Sequence, residues 1–198
     1  MMRLPDSSSD FGSRAGENPV LTVGNLKILA LDHEARLYVG PRPWGEDSSG
    51  SRAVEVMGAL AEDVAITAIV DLNADETEER AAESVGLTYR GIRVKDDGQP
   101  LSPSILDSVS RAVEELLDSG HRVYLHCTFG SGRSPTIAAA YLIRYRGMSA
   151  RAARAWIEEL DAKWLHRGIW TDYDARFLGR LGEFERWARR ETNGRDQG

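Results

Sequence analysis

The chain has 198 residues, 41% hydrophobic and 28% charged, which is enough for one globular domain with a buried core. A net charge of -6 argues against nucleic acid as a partner. The sequence also has no polybasic segment that would bind an anionic membrane. The single cysteine excludes an internal disulfide, and no apolar run is long enough to form a transmembrane segment. We therefore expect a cytoplasmic protein, and the sequence leaves its oligomeric state open.

In the first half of the chain, short apolar runs alternate with helical patterns. Residues 1–18 are rich in Ser, Gly and Asp and predict a disordered tail without a signal peptide. Apolar runs predict four strands, and two segments between them predict helices, the second polar and acidic. The strands are predicted at 27–31, 35–40, 65–70 and 87–94, and the helices at 53–61 and 75–84.

The second half continues the same alternation. Ser102 or Ser104 caps a helix with Pro103 in its first turn, and Gly120 ends it. A strand is predicted at 121–126, followed by a helix that ends at Gly147. Two further helices follow, the first beginning at Ser149. The predicted buried stripes are Ile105, Val109, Val113 and Leu116, then Ala153, Trp156, Ile157 and Leu160, then Tyr173, Phe177, Leu181 and Phe184.

These elements predict an α/β fold, a single domain with a central, mostly parallel sheet flanked by helices. Its boundaries are expected at residues 19–188, followed by a polar C-terminal tail at 189–198. In such a fold the functional site lies at the carboxyl ends of the strands.

The loop between the predicted strand and helix carries the chemistry. Cys127 ends the strand, Arg133 follows after five intervening residues, and Ser134 comes next. Loop N–H groups and the positive end of the helix converge there on one point, which suits an oxyanion. The intervening residues predicted to bind phosphate through the loop are Thr128, Phe129, Gly130, Ser131 and Gly132.

Each of these residue types suits transfer of a phosphoryl group. A cysteine attacks as the thiolate, which a helix N-terminus, amide donors and Arg133 stabilise together. The planar guanidinium matches two oxygens of a phosphate, which a lysine could not do. Ser134 can donate to the sulfur and help it leave when a covalent intermediate is hydrolysed. The loop therefore predicts phosphoryl transfer first to Cys127 and then to water.

The same residues resemble a known family. The run from His126-Cys127 to Arg133-Ser134-Pro135 is similar to the signature loop of the cysteine-dependent protein tyrosine phosphatases, in the dual-specificity branch. The resemblance implies Cys127 as nucleophile, Arg133 as phosphate clamp and Ser134 as an aid to hydrolysis. It also implies that His126 orders the loop and favours the thiolate.

Hydrolysis of an ester also needs a proton donor for the leaving group. Asp96 and Asp97 follow the predicted strand 87–94, in a stretch that resembles the acid loop of the family. Asp96 has the register of the acid in several relatives, whereas Asp97 precedes Gly98, where an aspartate commonly stabilises a turn. We predict Asp96 as the general acid and keep Asp97 as the alternative. Asp71 and Asp75 also follow a strand, and we expect them to cap the polar helix.

The sequence leaves three alternatives for the function. A phosphorylated protein, with phosphotyrosine, phosphoserine or phosphothreonine, is favoured because Thr128, Phe129 and Ser131 are neutral. A lipid head group or a glucan would use the same mechanism. The roles of Trp44, Trp164 and Trp170, which could serve a glucan, remain undetermined. The third alternative is a phosphate-binding module without hydrolysis.

The mechanism needs no metal or other cofactor, and the sequence shows no His/Cys/Asp ligand cluster.

Overall fold

The computed structural model describes residues 20–23, 26–31, 36–43, 50–161 and 175–195. Six strands form one sheet in the order β1-β2-β3-β6-β4-β5. The four strands β3, β6, β4 and β5 are parallel, while β1 and β2 add antiparallel to the β3 edge. The strands are β1 Val20–Val23, β2 Leu26–Ala30, β3 Leu37–Pro41, β4 Ala68–Asp71, β5 Thr88–Gly91 and β6 Val123–Cys127.

Helices cover both faces of this sheet. One face packs against α3 to α6 and the other against α1 and α2. The helices are α1 Gly50–Val64, α2 Glu76–Ser84, α3 Pro103–Asp118, α4 Arg133–Arg146, α5 Ala150–Leu160 and α6 Ala175–Arg195. The predicted α/β fold with a central parallel sheet flanked by helices is therefore confirmed. Within the described ranges, no helix is both long and apolar enough to cross a membrane.

Successive residues of β6 face opposite layers, and this alternation positions the site. Leu125 and Cys127 belong to the core under α3 to α6, whereas Tyr124 belongs to the core under α1 and α2. His126 follows the same alternation and lies beside Glu78 of α2. The sheet thus separates the side chain of Cys127 from that of the residue before it.

The predicted start of α3 agrees with the structure, but the burial predicted for one of its residues does not. Ser102 is the N-cap, and its hydroxyl accepts a hydrogen bond from the Ile105 N–H. Ile105 itself is 37% exposed, so its placement in the buried stripe was wrong. It lies in the first turn, at the edge of a stripe that passes through Leu106, Val109 and Val113.

Other predictions fall partly or wholly outside the described residues. Leu181 and Phe184 of α6 are buried as expected. The predicted tail 1–18 and the positions Trp44, Trp164, Trp170 and Tyr173 lie outside the described ranges. The predicted domain boundary at 188 stays a prediction, and α6 itself continues to Arg195.

We predict that Gly40→Ala lowers the free energy of unfolding by about 1–3 kcal/mol. A Cβ at this position of β3 would overlap the hydroxyl and ring of Tyr124, which is fully buried on the neighbouring strand. Urea denaturation measures the change. Gly58→Ala is the matched control, because its Cβ would meet nothing within 4 Å and alanine favours the interior of α1. Equal stability of the two variants would contradict this account of β3 packing.

Candidate active site

The loop that follows β6 lies at the centre of the sheet, between the ends of β3 and β4. β6 ends at Cys127 and α4 begins at Arg133, with Gly132 as an N-cap that has no side-chain capping bond. The first backbone N–H groups of α4 therefore face the loop, together with the positive end of the helix dipole. This is the strand, loop and helix arrangement that the sequence predicted around Cys127.

The sulfur of Cys127 lies among hydrogen-bonding groups beneath this loop. Cys127 is 3% exposed, and its Sγ accepts a hydrogen bond from the Gly130 N–H at 3.3 Å. Gly130 has a φ of +69°, a backbone conformation that favours glycine. The hydroxyl of Ser134 lies 3.3 Å from Sγ and 3.2 Å from the carbonyl oxygen of Gly40, and its single hydrogen can be donated to one of these two acceptors at a time. The Gly130 N–H, together with the Ser134 hydroxyl when it is turned to the sulfur, suits a sulfur that carries negative charge.

Arg133 connects the loop between β6 and α4 to two neighbouring loops. Its side chain is 5% exposed and donates to the Val94 carbonyl at 2.9 Å, to Asp96 Oδ2 at 2.8 Å and to Thr128 Oγ1 at 3.0 Å. Thr128 Oγ1 in turn donates to Asn73 Oδ1 at 3.0 Å. One guanidinium nitrogen, Nη2, thus binds an anionic oxygen of Asp96, while Nη1 donates to the backbone carbonyls of Leu72 and Val94.

The two candidate acids occupy different environments. The Asp96 carboxylate is 52% exposed and pairs with Arg133 of the loop. The Asp97 carboxylate accepts a hydrogen bond from the Gln99 N–H at 3.0 Å, which is the local turn contact expected of an aspartate before Gly98. The structure therefore brings Asp96 into contact with the loop that holds Cys127 and gives Asp97 a turn contact.

A cleft of about 400 Å³ opens above these groups. Both acidic and basic side chains line it, and Phe129 stands 67% exposed in the loop nearby. Cys127 lies below the loop rather than in the lining. The lining residues are Asn73, Arg93, Val94, Lys95, Asp96, Asp97, Thr128 and Arg133.

Behind the loop, on the other face of the sheet, lies a buried charged cluster that the sequence did not predict. Asp71 at the end of β4, Glu78 in α2 and His126 in β6 are each 0% exposed. His126 Nε2 lies 3.1 Å from Glu78 Oε1, and His126 Nδ1 lies 3.8 Å from Asp71 Oδ1. The sequence separates these residues widely, and only a buried strand ending in aspartate hinted at an inward-facing charge.

Burial and mutual charge shift the pKa values of all three groups. Burial raises the pKa of Glu78 to about 7, against the opposing effect of the nearby His126 charge. Burial alone would lower the pKa of His126, but the Glu78 and Asp71 carboxylates outweigh it and raise that pKa. For Asp71 burial acts upward, yet His126 and the N–H groups of Asn73 and Asp75 hold the pKa below its usual value. The cluster therefore favours a protonated His126 beside an ionised Asp71.

The three residues are also the group in the described ranges whose atoms could approach a metal ion. Their candidate ligand atoms lie within 4.8 Å of one another. However, the two carboxylates approach different nitrogens of the ring. One cation cannot bind both nitrogens of one imidazole, whereas a carboxylate beside each nitrogen suits a positively charged imidazolium. The geometry fits an ion cluster better than a metal centre.

Comparison with known proteins identifies the family of the chain. A family model described as the dual specificity phosphatase catalytic domain matches residues 51–170, more than half of the chain. Protein 123R of Invertebrate iridescent virus 6 is 30% identical over 102 residues, covering 52% of this chain and 67% of its own. Mouse dual specificity protein phosphatase 1 is 25% identical over 183 residues, 92% of this chain, which spans 43% of the mouse protein.

Solved structures of similar fold extend the comparison. The crystal structure of PTPMT1 matches with a TM-score of 0.63 at 21% identity, covering 84% of this chain and 99% of that one. The chain belongs to the family of dual specificity phosphatase catalytic domains, within the cysteine-dependent protein tyrosine phosphatase superfamily, which confirms the predicted family and enzyme class.

Proposed function

We propose that this phosphatase hydrolyses phosphomonoesters of phosphotyrosine, phosphoserine or phosphothreonine in protein, through a phosphocysteine intermediate on Cys127. One observation carries the proposal. The Cys127 sulfur lies among the Gly130 N–H and the Ser134 hydroxyl, at the start of a helix whose first residue is the anion-binding Arg133.

The residues suggest a two-step reaction. In the first step, the Cys127 sulfur attacks phosphorus, the bond to the ester oxygen breaks, and Asp96 gives that oxygen its proton. In the second step, water attacks phosphorus, passes a proton to the Asp96 carboxylate, and the sulfur–phosphorus bond breaks. Ser134 donates to the departing sulfur, and Arg133 with the loop N–H groups binds the phosphate oxygens throughout.

The ion pair between Arg133 and Asp96 has a consequence for substrate binding. The guanidinium donates to Asp96 Oδ2 at 2.8 Å, so an arriving phosphate dianion competes with this carboxylate for the same donor. Exchange of partners would leave Asp96 near the ester oxygen, where a general acid is needed. Half of the Asp96 side chain is exposed, so the exchange requires little rearrangement of the core.

We predict that Asp96→Asn slows turnover of a substrate with a poor leaving group by about 100-fold or more and flattens the alkaline limb of its pH profile. An amide cannot donate the proton that such a leaving group needs. With a good leaving group, the same variant should lose much less activity.

Asp97→Asn is the matched control, because Asp97, the neighbour of Asp96 in sequence, makes a turn contact with Gln99 rather than a contact with Arg133. If Asp97→Asn alone shows the loss, the acid is Asp97. If neither variant shows it, the acid lies in another segment.

The cleft also gives one observation in favour of a different substrate. Arg93 and Lys95 line it beside Arg133, and two extra cations suit a substrate with more than one anionic group. PTPMT1, which is similar in fold, has been crystallised in complex with PI(5)P. Against a lipid substrate, Thr128, Phe129 and Ser131 of the loop carry no charge.

A panel of substrates separates these alternatives. Wild-type and Cys127→Ser proteins would be assayed with a phosphotyrosine peptide, a phosphothreonine peptide, a phosphoinositide and a phosphorylated glucan. The proposal expects phosphate release from the peptides with the highest kcat/KM, and none with Cys127→Ser. Preference for the phosphoinositide or the glucan would reassign the substrate. Binding without release of phosphate by the wild type would indicate a non-hydrolytic module.

A further inference from the structure

Carboxylates lie on both sides of the His126 ring. The Glu78 carboxylate lies 3.1 Å from Nε2 and the Asp71 carboxylate 3.8 Å from Nδ1, in a site where all three residues are 0% exposed. Neither contact has the geometry of a hydrogen bond, so the two carboxylates act on the ring through their charge. Two buried carboxylates beside one imidazole favour the doubly protonated, positively charged ring.

The same residues connect directly to the catalytic loop. His126 immediately precedes Cys127, and its carbonyl oxygen accepts a hydrogen bond from the Leu72 N–H at 3.0 Å. Asp71 Oδ1 accepts from the Asn73 N–H at 2.7 Å and its Oδ2 from the Asp75 N–H at 2.9 Å. Asp71 thus fixes the turn between β4 and α2 that faces the loop.

That turn reaches the phosphate clamp through two hydrogen bonds. Asn73 Oδ1 accepts from Thr128 Oγ1, and Thr128 Oγ1 accepts from Arg133 Nη2, each at 3.0 Å. A displacement of Asp71 or His126 would therefore be transmitted to both Cys127 and Arg133. Small displacements of this kind are costly in catalysis, since reacting groups must be held to within about 1 Å.

We infer that Asp71 and Glu78 are positioning residues of this phosphatase, which hold His126 as a buried imidazolium and through it fix the loop that carries Cys127 and Arg133. The inference rests on the proposed function, in which that loop performs the chemistry. Neither carboxylate reaches the substrate cleft, so they act through His126 and the turn after β4.

Other polar and charged groups near His126 also affect its protonation. Arg42, after β3, pairs with Asp75 at 3.0 Å and lies 3.8 Å from Glu78 Oε2. Its positive charge disfavours the protonated form of His126. From β5, the Tyr89 hydroxyl donates to Asp71 Oδ2 at 2.8 Å. Because the carboxyl groups of Asp71 and Glu78 lie beside the ring and raise the pKa of His126, replacing either by a neutral amide should lower that pKa.

The test measures the protonation of His126 by NMR and the kinetics of the same proteins. The chain has four histidines, so imidazole signals can be assigned by single substitutions. We expect His126 of the wild type to be an imidazolium at pH 7. In Glu78→Gln and Asp71→Asn, which keep size and shape, it should lose its proton at a pH lower by about one unit or more. Their kcat/KM for an aryl phosphate should fall by about 10- to 100-fold.

Glu79→Gln is the matched control, because this neighbouring glutamate of α2 is exposed. It should leave both the His126 signal and kcat/KM unchanged. Wild-type kcat/KM in both Glu78→Gln and Asp71→Asn would overturn the inference, and wild-type kcat/KM in one would remove that residue from it. A neutral His126 in the wild type at pH 7 would also overturn it, even if the variants fail to fold. This NMR measurement needs no turnover, so it is independent of any failure of the proposed hydrolysis.

Discussion

Replacing Cys127 by serine is expected to abolish hydrolysis of an aryl phosphate, a loss of about 10⁴-fold or more, while binding of the phosphate ester persists. A serine hydroxyl is hardly ionised at neutral pH and is a far poorer nucleophile than a thiolate. The groups around it remain, since the Gly130 N–H and the Ser134 hydroxyl each lie 3.3 Å from the sulfur. The exchange changes one buried atom, so the fold should survive.

Steady-state kinetics and isothermal titration with a phosphate ester measure the two halves of this prediction. Thermal unfolding of the variant serves as the control for folding. A chelator in the assay should leave wild-type activity unchanged, because the proposed steps use no metal. Full activity in Cys127→Ser would contradict the mechanism, as would loss of wild-type activity on chelation.

Replacing Arg133 by lysine should reduce kcat by about 100-fold or more and weaken ground-state binding less. A lysine keeps the positive charge but loses the planar fork that binds two oxygens at once. The guanidinium also donates to the Val94 carbonyl, to Asp96 and to Thr128, and an ammonium group cannot reach all three. Both the phosphate clamp and the position of the acid loop should therefore suffer.

Arg154→Lys provides the matched control for this exchange. Arg154 lies in α5, 48% exposed and paired with Glu158, away from the loop. It should retain wild-type kcat and KM. Turnover close to wild type in Arg133→Lys would mean that Arg133 is not the phosphate clamp.

The sequence predicted those parts of the site that are local in the chain. Cys127, Gly130, Gly132 and Arg133 fall within seven consecutive residues, so these residues, together with the apolar patterns on either side, indicated a strand, an anion-binding loop and a helix. Asp97 before Gly98 likewise indicated a turn contact, and the structure gives it one with the Gln99 N–H. Local backbone chemistry sets such features, and a sequence shows them directly.

Features that depend on packing between distant segments could not be predicted. Periodicity placed Ile105 in the buried stripe, because a pattern cannot show where a helix end extends past its neighbours. The cluster of Asp71, Glu78 and His126 joins two strands and a helix. Asp71 and Asp75 were both expected to cap α2, but Asp75 alone is the N-cap, and Asp71 accepts the N–H groups of Asn73 and Asp75 in the turn before the helix. Its second role toward His126 follows from the order of β4 beside β6.

The mechanism requires a covalent phosphoryl group on Cys127, and rapid quenching into denaturant tests for it most directly. Ser134→Ala should make the intermediate accumulate, because the departing sulfur loses the hydroxyl that lies 3.3 Å from it. The chain has one cysteine, so peptide mass spectrometry can assign a thiol-linked phosphoryl group without ambiguity. We expect that adduct on Cys127 during turnover, and its absence in Cys127→Ser. Turnover by Ser134→Ala with no adduct on Cys127, or with the phosphoryl group on another residue, would contradict the mechanism.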